Sequence, residues 1–487
     1  MKKKIIIIGA GIAGLNAGIE LLQHGYDVEI YEKNNEVGGL CSGYFVDGCN
    51  IDACLHWMMG TKKDTILYNL WKNIDGLNDE VEITHLPYLC SFIYEGTKVT
   101  LSRDLDEEEK RWIEISPEDD KAIKIFFSCV RSLSSLWVVT QVINHKKLSG
   151  EIFKSIPNIS KIIRSMKISR KTYSKRFKHP ALRFAIENGL TGYNNMYFFM
   201  QVYALFAAGD GDVPFGGAYY MVQRIKNRFL SLGGKLFLNT PINELVVEED
   251  LIKSAKSCEK VIKGDYFVSS TDYSYTLNKL LKGQFQIKKL NQLHQNIKDY
   301  SISSCFNIYV KVDDYKDDID VPTIIKTKEV KVGAHKVNNL LVRPYSFDPT
   351  FIYDNNGAVI SLYINQNQDD YRFFKEVKDY KKEFGRIIND LISLFEEFYP
   401  QYKGKVQHLS SFGPLELETR FNTSYGSIQS FSFSDKGMFY LLKNQLKEIS
   451  NLYLCGQWNR SLGGTPTALL SSHAVAKKIS KRDKNKK

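Results

Sequence analysis

The feature that most constrains this chain is its start: Lys2-Lys3-Lys4, then Ile5-Ile6-Ile7-Ile8, then Gly9-Ala10-Gly11-Ile12-Ala13-Gly14. Four β-branched residues in a row are the pattern of a strand buried on both faces. The Gly-x-Gly-x-x-Gly spacing directly after it predicts a tight turn into a helix that begins near Ala10 and runs apolar-periodic to Leu22. Such a turn lets backbone approach a pyrophosphate, and the helix start aims its free N–H groups at the phosphates. A second strand is predicted at Asp27-Val28-Glu29-Ile30-Tyr31. Glu32 follows it, 18 positions after Gly14, where an acid that binds a ribose belongs. Strand, glycines, helix, strand and acid in this order read as a Rossmann-type α/β unit, with Gly9, Gly11, Ile12, Ala13, Gly14, Glu32 and Lys33 as the dinucleotide-binding residues.

A chain of 487 residues is too long for one simple core, so at least two domains are expected. The formal charge of +11 invites a nucleic-acid reading, but the charge is local. Between Asn144 and Arg183 there are twelve Lys/Arg and one acid, Glu151, so this stretch alone accounts for the imbalance. Apolar Ile152, Ile156, Ile159, Ile163 and Met166 recur there at helical spacing, with Lys154, Lys161, Arg164 and Lys167 between them and Pro157 as a kink. A cationic amphipathic segment fits an anionic membrane surface. It lacks the interleaved aromatics of a single-strand stacking platform, so no nucleic-acid partner is expected. The eight cysteines form no C-x-x-C pair or zinc spacing, so no metal site is expected and reduced thiols of a cytoplasmic protein are. No apolar run reaches the roughly 18 residues of a membrane span. The expected location is cytoplasmic, with peripheral contact through 144–183.

Downstream of Glu32, Gly38-Gly39 allows a second close backbone approach to the dinucleotide, followed by Leu40-Cys41. Further on stands Gly48-Cys49-Asn50-Ile51-Asp52-Ala53-Cys54-Leu55-His56-Trp57. This succession resembles the FAD-dependent phytoene desaturases, carotenoid isomerases and retinol saturases, and its Asp-x-x-x-His-aromatic element resembles the saturase-like branch most. Many members carry Arg after the Gly-Gly; this chain has Leu40, so a phosphate contact from that position must be absent or replaced. The C-terminal part is similar too: Asn451-Leu452-Tyr453-Leu454-Cys455-Gly456-Gln457-Trp458, a short buried strand, precedes Gly463-Gly464-Thr465-Pro466, with Pro at the start of the last helix.

The resemblance implies a glutathione-reductase-like, Rossmann-type FAD-binding domain formed by 1–75, 212–275 and 440–487, and a discontinuous α+β substrate domain formed by 76–211 and 276–439. It implies FAD held by the residues above together with Gly38, Gly39, Leu40, Ile242 near the adenine, and Gly456, Gln457, Gly464 and Thr465 beside the flavin. Within this frame, Leu86–Leu101 reads as a hairpin turning at Glu95-Gly96, and Asp104–Glu109 as a solvated loop or helix start. Aromatic Tyr193–Phe206 reads as a helix walling an apolar tunnel. Pro214–Gly217 opens a helix through Leu230, stopped at Gly233-Gly234. Lys235–Val247 reads as a strand pair, Lys253–Lys263 as a loop, and Gly264–Asp272, Ser304–Val312 and Ala358–Ile364 as strands. Tyr371–Phe398 reads as one long helix and the lysine-rich tail after Ile479 as frayed. Arg343–Pro349 and Tyr425-Gly426 resemble family segments near the substrate cavity.

Only one dinucleotide fingerprint is present, so electrons exchange through the substrate cavity with oxygen, a quinone or a transiently bound NAD(P)H. The implied reaction is desaturation or saturation of carbon–carbon bonds in a hydrophobic polyene or isoprenoid lipid. His56, with its intrinsic pKa in the neutral range, is the candidate proton acceptor or donor. Three other readings remain open: redox-neutral cis–trans isomerisation, an amine oxidase-like flavoenzyme, and a non-enzymatic prenyl or lipid escort.

Overall fold

The computed structural model describes residues 2–141, 158–189, 194–258, 260–319, 321–354, 357–434, 436–461 and 463–485, and the side chains of 136–141 are not among them. The isoleucine run becomes the central strand, Lys4–Ile8, of a five-stranded parallel sheet. Across that sheet the order is Leu452–Leu454, Tyr266–Ser269, Lys4–Ile8, Asp27–Tyr31, Lys235–Phe237. Ile5 and Ile7 enter one hydrophobic core, Ile6 and Ile8 another on the opposite face, all four buried. Removing each from water is worth about 1.5–3 kcal/mol, which is why the run is continuous rather than alternating. The first helix, Ile12–Gln23, packs against the last, Gly464–Lys484: Asn16 Nδ2 donates to Leu469 O at 3.1 Å and Ser472 Oγ at 2.7 Å, and His473 Nδ1 meets Glu20 at 2.8 Å.

A second, eight-stranded sheet stands beyond it, in the order Val406–Phe412, Ser304–Val312, Gly357–Gln366, His335–Pro344, Thr323–Val332, Tyr88–Tyr94, Thr97–Ser102, with Ile352–Asp354 added beside Gly357–Gln366. Its pairs are antiparallel except Tyr88–Tyr94 with Thr323–Val332, which run parallel and join segments far apart in the chain. The helices Leu105–Ile115, Asp120–Gln141, Pro180–Glu187 and Met196–Ala207 cover this sheet. Their shared core is aromatic: Trp112 stacks on Phe126 at 5.2 Å, and Phe126 lies 6.3 Å from Tyr203. Asp104 caps Leu105–Ile115 by accepting from Asp106 N and Glu107 N, so the acidic cluster is a helix start.

Several expectations need correction. The first helix starts at Ile12, not near Ala10, because Gly11 is extended. Lys235–Phe237 and Glu244–Glu248 do not pair with each other; the first joins the parallel sheet and the second pairs with Leu251–Ser257. The expected loop at 253–263 is instead a hairpin of Leu251–Ser257 and Lys260–Ile262, whose small inward residues include Ser254 and Ala255. The long helix at 371–398 is two, Gln368–Glu376 and Tyr380–Phe398, each with its own cap at Asn367 and Asp379. The C-terminal helix continues to Lys484, where Asp483 accepts from Lys3 Nζ at 2.6 Å, Tyr266 OH at 2.6 Å and Tyr26 OH at 2.9 Å.

In the basic segment, Glu151, Ile152, Lys154, Ile156 and Pro157 lie outside the described residues, as does Tyr193 of the aromatic stretch. The described part contains a helix, Ile159–Ser165, which buries Ile162 and leaves Ile159 and Ile163 exposed beside Lys161, Arg164 and Lys167. Arg170 departs from the surface pattern: it is buried, and its guanidinium donates to Gly189 O at 3.0 Å. Among the described residues no helix is long and apolar enough to cross a membrane.

Candidate active site and cofactor cavity

A cavity of about 1000 Å³ opens at the C-terminal ends of the parallel strands and continues to the eight-stranded sheet. Ile8 and Gly9, Glu32, Ser270 to Asp272, and Gly456 line it from the ends of four parallel strands. Cys305, Arg343, Tyr363 and Phe412 line it from the second sheet.

The glycine loop is fixed by close approaches. Gly9 has φ +96°, and a Cβ there would lie 2.9 Å from Ser270 Oγ; a Cβ on Gly14 would lie 2.0 Å from Gly9 O. Gly11 differs, since the nearest atom to a Cβ there is Gly38 O at 3.8 Å. Gly14 thus serves helix–strand packing, while Gly11 keeps cavity space open. Gly38 N donates to Ala10 O at 2.9 Å, and a Cβ on Gly39 would lie 3.3 Å from Gly11 Cα, so the second glycine pair rests on the first loop. Of the expected residues, Gly9, Gly11, Ile12, Ala13, Glu32, Lys33, Gly38, Gly39, Leu40, Ile242, Gly456, Gln457, Gly464, Thr465 and His56 all line the cavity, and Gly14 stands behind it.

Two of the helices that begin at the cavity lack a side-chain cap: the first behind Gly11, the last behind Gly463. Neither has an acidic residue in its first turn. Two uncapped N-termini in one cavity leave N–H groups and positive dipole ends for negative charge, which suits a pyrophosphate at one and a reduced flavin ring at the other. Glu32 accepts from Ala10 N at 2.8 Å and Asn34 N at 2.9 Å, so it clamps the loop as well as facing the cavity. Lys33 Nζ reaches Thr419 O at 2.7 Å and Asn422 Oδ1 at 2.9 Å, and burial lowers its pKa. Gln457 Oε1 accepts from Gly464 N at 3.0 Å, which links the last parallel strand to the last helix. Leu40 offers no charge; the cations among the described lining residues are Lys33, Arg343 and Arg420.

Asp52 pins the loop that carries His56. That carboxylate accepts from Cys54 N at 2.8 Å, Leu55 N at 2.7 Å and Ala218 N at 2.8 Å. Burial nonetheless pushes it up to about 6. Arg343 Nη1 meets His56 Nε2 at 3.2 Å. An arginine only donates, so Nε2 accepts and the ring proton sits on Nδ1. That nitrogen is buried without a partner among the described residues. Burial first, and the Arg343 charge second, hold His56 well below the ordinary histidine range. The ring is therefore a neutral donor, and the titrating group expected from its intrinsic pKa is not what the surroundings make of it.

Sequence reading did not single out Arg343 as the partner of His56, nor Ser270, whose hydroxyl donates to Ile8 O at 2.9 Å and Gly9 O at 2.8 Å. The available signals were the Arg343–Pro349 segment and the small Ser269–Ser270–Thr271 run after a buried strand.

Comparisons with known proteins agree with this geometry. Residues 7–74 match the NAD(P)-binding Rossmann-like domain family. A 4,4'-diaponeurosporene oxygenase of Staphylococcus aureus is 22% identical over 100% of both chains. Among solved structures, an oxidoreductase from Methanosarcina mazei aligns with a TM-score of 0.62 at 12% identity, covering 97% of this chain and 100% of that one. Cyclohexylamine oxidase from Brevibacterium oxydans aligns with a TM-score of 0.58 at 13% identity, covering 98% and 100%. The Rossmann-type α/β fold is thus shared with oxidases along nearly the whole chain. The chain is similar along its whole length to a 4,4'-diaponeurosporene oxygenase and shares its Rossmann-type fold with oxidoreductases.

Proposed function

We propose that this protein uses FAD to desaturate or saturate carbon–carbon bonds of a hydrophobic polyene or isoprenoid lipid. The observation that carries the reading is the continuity of the cavity. It runs from the glycine loop past His56 to a wall of Trp57, Phe198, Val202, Leu205, Tyr363 and Phe412, a lining suited to a flat apolar chain. In this reading 1–75, 212–275 and 440–487 hold the cofactor, and 76–211 with 276–439 hold the substrate. Gly9 to Ala13 with Gly38-Gly39 receive the pyrophosphate, Glu32 a ribose, Ile242 the adenine end, and Gly456, Gln457, Gly464 and Thr465 the flavin side. When bound, the flavin supplies a two-electron hydride acceptor or donor. His56 keeps its Nδ1–H toward the reacting part of the substrate, oriented by Arg343. The aromatic wall aligns the chain and excludes water.

The test is anaerobic flavin reduction or reoxidation by a panel of polyenes, retinoids and quinones. A colour change with polyenes supports the reading. Purified protein that is colourless and takes up no FAD overturns it in favour of a lipid escort.

Substrate of this kind resides in membranes, and in this reading two exposed apolar patches meet them. Ile159 and Ile163, 40% and 51% exposed, lie among Lys161, Arg164 and Lys167. Met438, Phe439 and Leu441 are 73%, 50% and 68% exposed. Phe439 packs edge-on to Phe198 at 5.9 Å, and Phe198 lines the cavity. Residues 196–198 and 439 thereby connect an apolar surface to the cavity wall, as lipid entry from an anionic membrane requires.

A further inference from the structure

Cys41 and Cys54 both line the cavity, at the open end of one strand pair. The strands Gly43–Val46 and Cys49–Asp52 form an antiparallel pair in which Gly43 stands opposite Asp52. The ladder continues one step beyond, since Ala53 N donates to Ser42 O at 3.1 Å. Carried one position further, the same register opposes Cys41 to Cys54, and the two thiols are close enough for Cys54 to perturb Cys41. Directly opposed residues in such a pair hold their Cβ atoms about 4.5–5.5 Å apart. A disulfide needs Cβ atoms about 3.5–4.5 Å apart, within a small side-chain adjustment. Both residues are free thiols, and both line the cavity.

The two are not equivalent. Cys41 is buried, while Cys54 is partly exposed. The hydrogen bond to Cys54, then burial, then the nearby charges of Cys54 and Asp52 hold the Cys41 thiol well above its ordinary range. Cys41 therefore keeps its proton, and Cys54, the more exposed of the two, is the sulfur that a small thiol reaches first. Cys41 also sits two residues from Gly39, which rests on Gly11, and its N–H donates to Gly38 O at 3.2 Å. No other cysteine pair among the cavity's described lining residues shares a ladder step, and the mechanism above uses neither thiol.

We infer that Cys41 and Cys54 form a dithiol–disulfide couple in the cavity wall, through which two electrons pass between a small dithiol and the bound flavin. The inference rests on the flavin reading for its second half only. Closing the Cys41–Cys54 S–S bond releases two electrons and two protons. Both electrons and one proton go to the oxidised flavin, and the second proton leaves to solvent. A small dithiol then attacks Cys54, and two exchange steps restore both cysteine thiols while that dithiol becomes a disulfide. This assigns an electron donor to a chain with one dinucleotide fingerprint.

The first test needs no flavin. Protein as purified is equilibrated anaerobically in glutathione buffers of graded redox ratio, quenched by alkylation, digested and weighed. The expected result is joint loss of alkylation at Cys41 and Cys54 with a cross-linked peptide joining them; Cys49, the control, stays alkylated. Full alkylation of both at every ratio, or separate glutathione adducts with no cross-link, overturns the couple. The second test mixes FAD-loaded protein anaerobically with dithiothreitol. Wild type should bleach, and Cys54→Ser, at matched FAD content, should bleach at least tenfold more slowly. Equal rates overturn electron passage. Cys54→Ala, lacking any hydroxyl, repeats the comparison should the serine variant fold poorly. A protein that forms the cross-link but binds no FAD sinks the oxidoreductase reading, not the couple.

Discussion

Arg343 and His56, 287 positions apart in sequence, meet at 3.2 Å inside the cavity, and the contact decides which nitrogen of the ring carries the proton. Ring ¹⁵N NMR should show the Nδ1–H tautomer, with His56 failing to titrate through the ordinary histidine range. Arg343→Met removes the second cause of that depression and leaves burial, so part of the titration should return. The stability consequence has a definite sign. A histidine held neutral in the fold protonates only on unfolding, so its contribution is full above the unfolded value and is lost as pH falls below about 6.5. Denaturant melts of wild type should steepen in that acid window relative to His56→Gln; parallel curves would count against the assignment.

At unchanged FAD content, His56→Ala should lower turnover at least tenfold. His56→Asn, which keeps a donor, should recover part of that loss. Equal turnover of wild type and His56→Ala removes the ring from the reaction.

The glycines of the first loop should separate into two roles. Gly14→Ala places a methyl 2.0 Å from Gly9 O, and overpacking of that kind costs about 1–3 kcal/mol or more, read as a lowered melting temperature of the apoprotein. Gly11→Ala meets nothing nearer than 3.8 Å, so the apoprotein should melt within about 0.5 kcal/mol of wild type. Its FAD affinity should nevertheless fall about tenfold, roughly 1.4 kcal/mol. Intact affinity in Gly11→Ala would mean that the pyrophosphate does not approach there.

Leu40 stands where many relatives place an arginine, and Arg420 lines the same cavity, stacked over Tyr44 at 5.1 Å. Arg420→Gln should weaken FAD binding, and adding Leu40→Arg should restore it. Calorimetric titration of the single and double variants reads this coupling; strictly additive effects would show that the two positions do not share a ligand.

Reversal of Lys161, Arg164 and Lys167 to Glu should weaken binding to phosphatidylserine-containing vesicles at least tenfold, since each basic residue near an anionic surface contributes about 1 kcal/mol. Met438→Asp with Phe439→Asp should weaken it further at high salt, where charge is screened. Arg170 is excluded from such a set because reversing it would place an acid in the core.

The glycine loops at the cavity were legible because glycine positions are set by backbone geometry, which a sequence records directly. Gly9, Gly38 and Gly456 all have positive φ. The place of Glu32 at the cavity was legible, though not its grip on Ala10 and Asn34. Arg343 with His56, and Cys41 with Cys54, were not legible as pairs, because tertiary packing of a loop against a strand joins the first and strand pairing leads to the second, and spacing encodes neither. The hairpin at 251–262 hid behind small inward residues, Ser254 and Ala255, that read as polar loop. Arg170 hid differently: it lies in a basic run, yet tertiary packing turns it inward to Gly189.

The central position of Lys4–Ile8 sets an order of assembly. Its neighbour Tyr266–Ser269 and the edge strand Leu452–Leu454 leave the ribosome long after it, and the last helix later still. Until Leu452–Leu454 pairs with Tyr266–Ser269, the apolar strand Lys4–Ile8 has no finished sheet to enter. Such distant pairing is slow and exposes hydrophobic surface during synthesis. In the proposed reading cofactor capture waits for the last helix, because Gly464 and Thr465 at its start complete the cavity wall.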